Sequence, residues 1–385
     1  MFTRKSLCVA TLVAALPFAA TAEDGVTANT ITFGQVAAFE GPAAALGTGM
    51  REGILAAFNE VNATGGVNGR QVNLQSEDDG YEPDRSAAAV KAMIGSGEIF
   101  GLIGPVGTPT TKATQPIATA AKVPFVGPFT GAGFLRDPAH GNVVNVRATY
   151  AAETEAWISY LVDRRGFKNI ALLYQDDGFG RVGLKGVTEA LAKRGMSLAA
   201  EGTYTRNTVA VKSAALAIRK AKPDAVVMVG AYKPVAEFIR LAKKLKMDAT
   251  FVNISFVGSK ALSNELGPDG EGVIISQVVP FPWDTSRPIV AEYQAAMKAV
   301  DANAEPGFVS LEGYIVGRLA IAALQKAGAD PTREAFLNAV WQMNSLDLGG
   351  AVLGFGPGDS QGFDDVFLTE IKSDGSFAPV DWPSS

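Results

Sequence analysis

The sequence predicts an α/β protein with two successive lobes, each built on a mostly parallel sheet flanked by helices. Short apolar runs with the length of buried strands alternate with stretches of helical periodicity along most of the chain, which is the pattern of strand–helix–strand units. The chain has 385 residues, which is more than a single hydrophobic core typically contains, so two lobes are expected. Its hydrophobic content of 47% and charged content of 19% indicate a folded protein rather than a disordered one.

The N-terminus has the features of a secretory signal peptide, predicted over residues 1–22. Arg4 and Lys5 form a basic start, an apolar run follows over residues 7–20, and Ala20-Thr21-Ala22 is a small-x-small cleavage site. The apolar run is too short for a membrane span, and we expect no span elsewhere. The mature chain is therefore expected to start at Glu23, to be exported and not to insert into a membrane.

The residue types needed for metal binding or nucleophilic catalysis are scarce. The single histidine is His140, in a polar loop, and the single cysteine is Cys8, inside the predicted signal peptide. Thiol catalysis, disulfides and most zinc sites are thereby excluded from the mature chain, and no Gly-x-Ser-x-Gly elbow is present. The formal net charge of −5 disfavours nucleic acid as a partner. We expect no enzyme activity, no catalytic residues, no metal and no cofactor.

The elements of the first lobe follow from apolar runs and their boundaries. Pro83 opens the second helix, and Thr64-Gly65-Gly66 ends the first, whose apolar face carries Ile54 and Phe58 at helical spacing. In chain order, strands are predicted over residues 30–37, 71–76, 100–104, 123–126 and 143–147, and helices over residues 50–62, 84–94 and from residue 108.

The second lobe repeats the alternation, and the last third is mostly helical. Predicted strands there cover residues 170–174, 198–204, 225–229, 250–254 and 273–279, and predicted helices cover residues 151–165, 180–194, 209–221 and 233–245. The final third carries predicted helices over residues 288–300, 310–327 and 332–343 and a strand pair near residues 366–373 and 377–380.

The stretch over residues 104–131 is predicted to form a seat for a small anion. Thr108-Pro109 suggests an N-cap followed by a proline at the first helical position. Thr110 and Thr111 then fall in the first turn, whose N–H groups have no helical partner and can bind an anion. The loop over residues 128–131 follows the next strand, so both loops reach the carboxyl edge of the sheet. The alternative is an ordinary helix cap and turn.

A dinucleotide-binding pattern occurs at Gly178, Gly180 and Gly183, which match Gly-x-Gly-x-x-Gly between a strand and a helix. Asp176 and Asp177 stand beside this loop, however, and two carboxylates would repel a pyrophosphate. We therefore interpret the glycines as backbone requirements of a helix start and Phe179 as an aromatic face offered to a ligand. An NAD-dependent oxidoreductase remains an alternative.

Several short motifs, in order and spacing, resemble one family. They are Glu40-Gly41-Pro42, Asn59-Glu60-Val61-Asn62 running into Gly65-Gly66-Val67-Asn68-Gly69, Asp78-Asp79, Gly104-Pro105 and Asp176-Asp177. With them the chain resembles the type I periplasmic solute-binding proteins of ABC importers, in the leucine/isoleucine/valine-binding-protein-like family. The resemblance implies two Rossmann-like lobes joined by a three-segment hinge. Lobe one would comprise residues 23–146 and about 281–355, and lobe two residues 147–280 and about 356–385.

The resemblance also implies a ligand site between the lobes. A hydroxyl at Thr108 and loop groups at Phe129, Thr130 and Gly131 would hold the ligand carboxylate. Phe179 would lie over the ligand, and Tyr232 would help to bind an amino group.

Three features depart from the pattern of the family. Where amino-acid binders of the family place a carboxylate for the ligand ammonium, this chain has Ser255 and Phe256, and an unpaired buried ammonium would cost several kcal/mol. Leu46 replaces an aromatic residue in the first loop, and Gly80 and Gly107 stand where some members have a disulfide.

The expected function is that of a periplasmic, monomeric binding protein. It would capture a small carboxylate-bearing ligand, either an amino acid of branched-chain type or a related organic or aromatic acid, and deliver it to the permease subunits of an ABC importer. A ligand-sensing receptor subunit of the same fold is the alternative.

Overall fold

The computed structural model describes residues 23–356 and 358–381, so the predicted signal peptide lies outside the described residues. The strands are β1 (Thr30–Ala37), β2 (Gln71–Asp78), β3 (Gly101–Ile103), β4 (Phe125–Val126), β5 (Val143–Val144), β6 (Ile170–Gln175), β7 (Ala200–Tyr204), β8 (Ala225–Val229), β9 (Thr250–Asn253), β10 (Ile274–Gln277), β11 (Ser345–Asp347), β12 (Val352–Gly354), β13 (Phe367–Ile371) and β14 (Phe377–Pro379).

Helices cover both faces of the sheets. They are α1 (Ala44–Ala63), α2 (Pro83–Ser96), α3 (Thr108–Ala120), α4 (Tyr150–Ile158), α5 (Gly178–Ala192), α6 (Lys212–Lys220), α7 (Tyr232–Lys244), α8 (Ser259–Leu266), α9 (Pro288–Val300), α10 (Phe308–Ala327) and α11 (Arg333–Trp341). A π-helical turn, Ser159–Arg164, extends α4.

Two separate sheets organise the chain, which confirms the predicted α/β class. The first has the order β2-β1-β3-β4-β5, and the second has the order β14-β13-β10-β9-β8-β6-β7. Within these two sheets all pairings are parallel except those of β13, which pairs antiparallel with β10 and β14. Strands β11 and β12 form a separate antiparallel pair. Strand order reverses at β1 in the first sheet and at β6 in the second. Such reversals open a crevice at the carboxyl ends of the strands, where ligands bind in open α/β sheets.

The chain passes between the sheets three times. It leaves the first sheet after β5, returns after β10 to the helices α9 and α10 that pack on α1, and rejoins the second sheet at β13. The first and third passages lie side by side and are joined by a hydrogen bond, in which the Asn145 N–H donates to the Ser360 carbonyl at 2.8 Å. We propose the lobe boundaries at these passages, with residues 23–146 and 281–355 in lobe one and residues 147–280 and 356–381 in lobe two.

Helix α10 is the core helix of lobe one. Among the described residues it is the one helix long and apolar enough to cross a membrane, contrary to the expectation that the mature chain has no such stretch, but 78% of its most apolar window is buried inside the molecule. It packs closely on α1: a Cβ added at Gly53 would lie 1.9 Å from the Ser310 carbonyl oxygen. The apolar character of α10 is therefore explained by packing within the lobe.

Candidate functional site

The predicted site residues lie where the two lobes meet. The loops after β3 and β4 of lobe one face the loops after β6, β8 and β9 of lobe two. Phe129 of lobe one and Phe256 of lobe two are in contact across this boundary, with ring centroids 5.5 Å apart. The side chains of Thr108, Phe129, Thr130, Phe179, Tyr232, Ser255 and Phe256 are all buried. We call this region the cleft.

Two threonine hydroxyls form the lobe-one side of the cleft. Thr108 Oγ1 and Thr130 Oγ1 are 2.6 Å apart and share a hydrogen bond. Their loops are tied together, since the Phe129 N–H donates to the Pro105 carbonyl at 2.8 Å and the Gly107 N–H donates to the Phe129 carbonyl at 3.3 Å. The hydroxyl pair is thus held in place by the backbone before any ligand arrives.

The start of α3 differs from the prediction. Gly107, not Thr108, is the N-cap, and no side chain caps this helix end. Gly107 has φ of 104°, and a Cβ there would lie 2.2 Å from Tyr81 Cε2. A glycine is needed because the Tyr81 ring packs directly on the backbone, so Thr108 is free to pair with Thr130.

The hydroxyls of Thr110 and Thr111 are bonded within the start of α3. The Thr110 hydroxyl donates to the Gly107 carbonyl at 2.9 Å and also contacts the Val106 carbonyl. The Thr111 hydroxyl donates to the Gly107 carbonyl at 2.7 Å. A hydroxyl has one proton to donate, and both protons are used within the helix. These two hydroxyls therefore cannot donate to a ligand carboxylate.

Tyr150 is a cleft residue that the sequence reasoning missed. Its N–H donates to the Gly131 carbonyl at 2.8 Å, and its ring lies 5.5 Å from that of Phe179. The side chain is fully buried, and its hydroxyl has no hydrogen-bond partner of ordinary geometry among the described residues. Burial raises the pKa of Tyr150 to about 12, although Arg147 and the Thr130 hydroxyl oppose the rise.

Aromatic rings form the wall opposite the threonines. The Phe256 ring lies 4.7 Å from Phe179 and 6.0 Å from Tyr81, which belongs to lobe one. Phe179 is oriented by the start of α5, where the Asp177 carboxylate accepts its N–H at 2.9 Å. Asp177 thus takes up the helix end that a dinucleotide pyrophosphate would need, which favours the ligand-facing interpretation of Phe179 over the NAD alternative.

Tyr232 and Ser255 are already engaged with other protein groups. The Tyr232 hydroxyl accepts the Ala45 N–H of lobe one at 3.3 Å, so it bridges the lobes. The Ser255 hydroxyl donates to Glu153 at 2.9 Å and accepts from Arg147 Nη1 at 3.0 Å. Neither hydroxyl is therefore an acceptor without a protein partner that could bind a ligand ammonium.

A buried charge cluster lies behind Ser255. Arg147 donates to both oxygens of Glu312 at 2.7 Å, and its guanidinium lies 4.0 Å from the centre of the Phe129 ring. Burial lowers the pKa of Arg147, but Glu312 more than compensates and raises it. Burial raises the pKa of Glu153, while Arg147 opposes that rise. No local signal in the sequence indicates the pair, because Arg147 and Glu312 are distant along the chain.

Little space remains inside the cleft. The cavity beside Arg147 and Glu312 measures about 10 Å³, room for one water molecule at most. A wider groove of about 460 Å³ lies outside the cleft between α1, α8 and α9. The cationic Lys260 on its rim is already paired with Glu305, and the predicted site residues are not among those that line it. A ligand can therefore enter the cleft only when the lobes separate or Phe256 moves.

The described residues contain no group of three or more histidine, cysteine, aspartate or glutamate side chains that could hold a metal ion.

Known proteins resemble this chain along most of its length. A family model for periplasmic binding proteins matches residues 30–376. The solved structure of a possible leucine/isoleucine/valine-binding protein from Rhodopirellula baltica is 38% identical, with a TM-score of 0.88, and the match covers 94% of this chain and 98% of that one. The Leu/Ile/Val-binding protein BraC3 of Rhizobium johnstonii is 27% identical over 88% of this chain and 89% of its own.

A further relative is the leucine-, isoleucine-, valine-, threonine- and alanine-binding protein of Pseudomonas aeruginosa, which is 24% identical over 94% of this chain and 97% of its own. These family members and structural neighbours are binding proteins rather than enzymes. The predicted resemblance is confirmed: the chain belongs to the periplasmic binding protein family, in its type I, leucine/isoleucine/valine-binding-protein-like group.

Proposed function

We propose that the mature chain is a periplasmic, monomeric solute-binding protein that captures a small carboxylate-bearing ligand in the cleft and delivers it to the permease subunits of an ABC importer. One observation carries the proposal. The hydroxyls of Thr108 and Thr130 are paired, Thr130 follows Phe129 in the chain, the Phe129 ring contacts Phe256 of the other lobe, and all of these groups are buried at the lobe boundary. The pair uses one of its two protons between its members and keeps the other for a ligand. A buried donor beside apolar rings suits a ligand with an anionic end and an apolar body.

Contacts at the rim support closure of the lobes around the ligand. Arg206 of lobe two donates to Glu82 of lobe one at 2.8 Å, and Asn207 donates to the Gly80 carbonyl at 3.0 Å. Hinged lobes that close on a ligand exclude water from it and change the surface that a partner reads. That change would allow the permease to distinguish the loaded protein from the empty one.

Two classes of ligand fit the proposed function: amino acids of branched-chain type, and related organic or aromatic acids. The relatives named above are described as binding leucine, isoleucine and valine, which favours an amino acid of branched-chain type. The aromatic wall and the absence of an acid at Ser255 and Phe256 suit a related organic or aromatic acid equally well.

The test is a ligand panel on the mature chain, unfolded and refolded to remove any carried ligand. We expect at least one small amino or organic acid to raise the melting temperature, because a ligand that binds only the folded state stabilises it. The same ligand should lower the radius of gyration in small-angle X-ray scattering. A panel of both acid types that changes neither quantity would contradict the proposal.

Thr108→Val tests the threonine pair. Valine keeps the volume and removes the donor, so we expect ligand binding to weaken by about 1–3 kcal/mol, the usual range for a hydrogen bond to a charged group. Isothermal titration calorimetry measures the change. Thr64→Val is the control, since the exposed Thr64 hydroxyl donates to the Val61 carbonyl at the end of α1, away from the cleft. Unchanged affinity in folded Thr108→Val would remove this residue from the site.

A further inference from the structure

The Tyr150 hydroxyl indicates what the cleft binds, because its proton lacks an acceptor among the described residues. It is fully buried, and the Thr130 side chain and the Gly131 backbone lie close enough to donate to its oxygen, but among the described residues no hydrogen bond of ordinary geometry accepts its proton. Buried hydroxyls in native proteins are nearly always bonded, so an exception calls for a missing partner. At neutral pH a phenol with a raised pKa keeps its proton and is a donor. The missing partner is therefore an acceptor, beside the Thr108 and Thr130 hydroxyls.

The charges around this hydroxyl favour an anion. Arg136 donates to the carbonyls of Thr130, Ala132 and Arg147 at 3.2, 3.1 and 2.8 Å, and its Nε bonds the Gln361 amide oxygen at 3.0 Å. Among the described residues no carboxylate forms an ion pair with Arg136. The loop that carries Thr130 therefore has a positive charge directly behind it, which an anionic ligand would balance.

The carboxylates that border the cleft are all bonded to protein groups. Both oxygens of Glu312 bind Arg147. Glu153 accepts from the Ser255 N–H at 2.8 Å, from the Ser255 hydroxyl at 2.9 Å and from the Ser276 hydroxyl at 2.5 Å. Asp177 accepts from the Phe179 N–H, from Gln175 and from Arg206. A ligand ammonium would therefore have to share an acid that already bonds an arginine or several other donors, because none of these three acids is left without a partner.

We propose that Tyr150 donates a hydrogen bond to the ligand carboxylate, and that the cleft selects apolar carboxylic acids without an ammonium group over the corresponding amino acids. The acid would lie with its carboxylate at Tyr150, Thr108 and Thr130. Its apolar body would replace part of the contact that Phe256 makes with Phe129 and Phe179. This inference rests on the proposed function, since it names the ligand class of the same cleft.

Matched ligand pairs test the selectivity. The mature chain is titrated with 4-methylpentanoate and leucine, and with 3-phenylpropionate and phenylalanine, by isothermal titration calorimetry at pH 7. We expect at least one acid to bind about tenfold or more tightly than its amino acid, because the ammonium loses its water without gaining an acid. Tighter binding of leucine or phenylalanine would overturn the inference and leave the proposed function standing. If no member of either pair and no member of the wider panel binds, both the inference and the proposed function are overturned.

Tyr150→Phe tests the donor. We expect the variant to lose about tenfold or more in affinity for the preferred acid, while the ligand-free melting temperature stays level or rises, since a buried unpaired hydroxyl has been removed. Tyr293→Phe is the matched control: its hydroxyl is buried in lobe one and bonds Ser310 at 2.6 Å, away from the cleft. Unchanged affinity in folded Tyr150→Phe would overturn the assignment of Tyr150.

A second readout excludes a merely structural role of Tyr150. The primary amide of the preferred acid has no charge for the hydroxyl to bind, so the wild-type preference for acid over amide should shrink in Tyr150→Phe. An acid-to-amide affinity ratio that is the same in both proteins would contradict the proposal, even if both affinities fell.

Discussion

Asp79 is a buried carboxylate at the carboxyl edge of the first sheet, just after β2. It accepts the Tyr81 N–H and the Ser86 hydroxyl, each at 2.7 Å. The first of these bonds supports Tyr81 in the left-handed region, with φ of 61°, where the ring contacts Phe256. A non-glycine residue in this region at a ligand site is strained backbone that its surroundings must maintain. Asp79 therefore contributes to the shape of the cleft from outside it.

The charge of Asp79 makes stability depend on pH. Burial raises its pKa from 3.8 to about 6, although the bonds from Ser86 and Tyr81 lower it. The folded chain then binds more protons than the unfolded chain between about pH 4 and pH 6. The contribution of Asp79 to the free energy of unfolding is largest below that interval and is lost as the pH rises through 6.

Asp79→Asn tests this dependence. The amide keeps an acceptor for the Tyr81 N–H and does not titrate. Between pH 5 and pH 7 we expect the wild type to lose about 1 kcal/mol more of its free energy of unfolding than the variant does. Urea unfolding at the two pH values measures both. Parallel changes in the two proteins would show that Asp79 is not the titrating group.

At the scale of elements, the contact between α1 and α10 explains how lobe one builds its core. Gly53 on α1 and Gly313 on α10 each approach the backbone of the other helix: a Cβ at Gly313 would lie 2.3 Å from the Met50 carbonyl oxygen. Such distances leave no room for a side chain. Ile54 of α1 lies against Gly104 and Val316 of α10 lies against Gly127, at the ends of β3 and β4, so the packing of the two helices bears on the loops that carry Thr108 and Thr130.

Gly53→Ala should destabilise the protein by about 1–3 kcal/mol, the range for overpacking a close contact. Alanine has a higher helix propensity than glycine, but this gain in stability is smaller than the cost of the clash. Gly95→Ala is the control, because Gly95 lies in α2 with nothing within 4 Å of an added Cβ. There we expect a gain of about 0.5–1 kcal/mol. Thermal unfolding measures both, and equal effects would contradict the packing argument.

At the scale of the whole molecule, contacts at the cleft rim connect the lobes. Arg206 binds Glu82 of lobe one and Asp177 of lobe two, at 2.8 and 3.0 Å. It therefore stabilises the closed arrangement and also holds the residue that orients Phe179. A contact that exists only in the closed arrangement shifts the equilibrium between the open and closed arrangements toward the closed one, by the free energy of that contact.

Arg206→Ala should favour the open arrangement. A partly exposed ion pair is worth little, so we expect ligand affinity to fall by about two- to fivefold, and the radius of gyration of the ligand-free protein to rise. Calorimetry and small-angle scattering measure the two quantities. Arg181→Ala is the control, since Arg181 pairs with Asp176 within lobe two. Equal effects of the two substitutions would mean that Arg206 does not act on closure.

The order of elements and the class of fold follow from the sequence, because strand and helix periodicities are local properties. The positions of Thr108, Phe179 and Ser255 at strand ends follow in the same way, and their part in ligand binding stays a prediction. The sequence assigned Thr110 and Thr111 to the anion seat through the N–H groups of the first turn, which stays a prediction. It did not indicate that their hydroxyls would donate to carbonyls of the preceding turn.

The folded chain alone decides which groups meet in the cleft. Arg147 lies 165 residues from Glu312, and Ser255 lies 102 residues from Glu153, so no periodicity or motif links them. That the described residues offer the Tyr150 hydroxyl no acceptor for its proton is also visible only in three dimensions, because it depends on every neighbour of the group. Composition and pattern determine the scaffold through short-range physics, whereas the charge and hydrogen-bond balance of the cleft is set by contacts between distant segments.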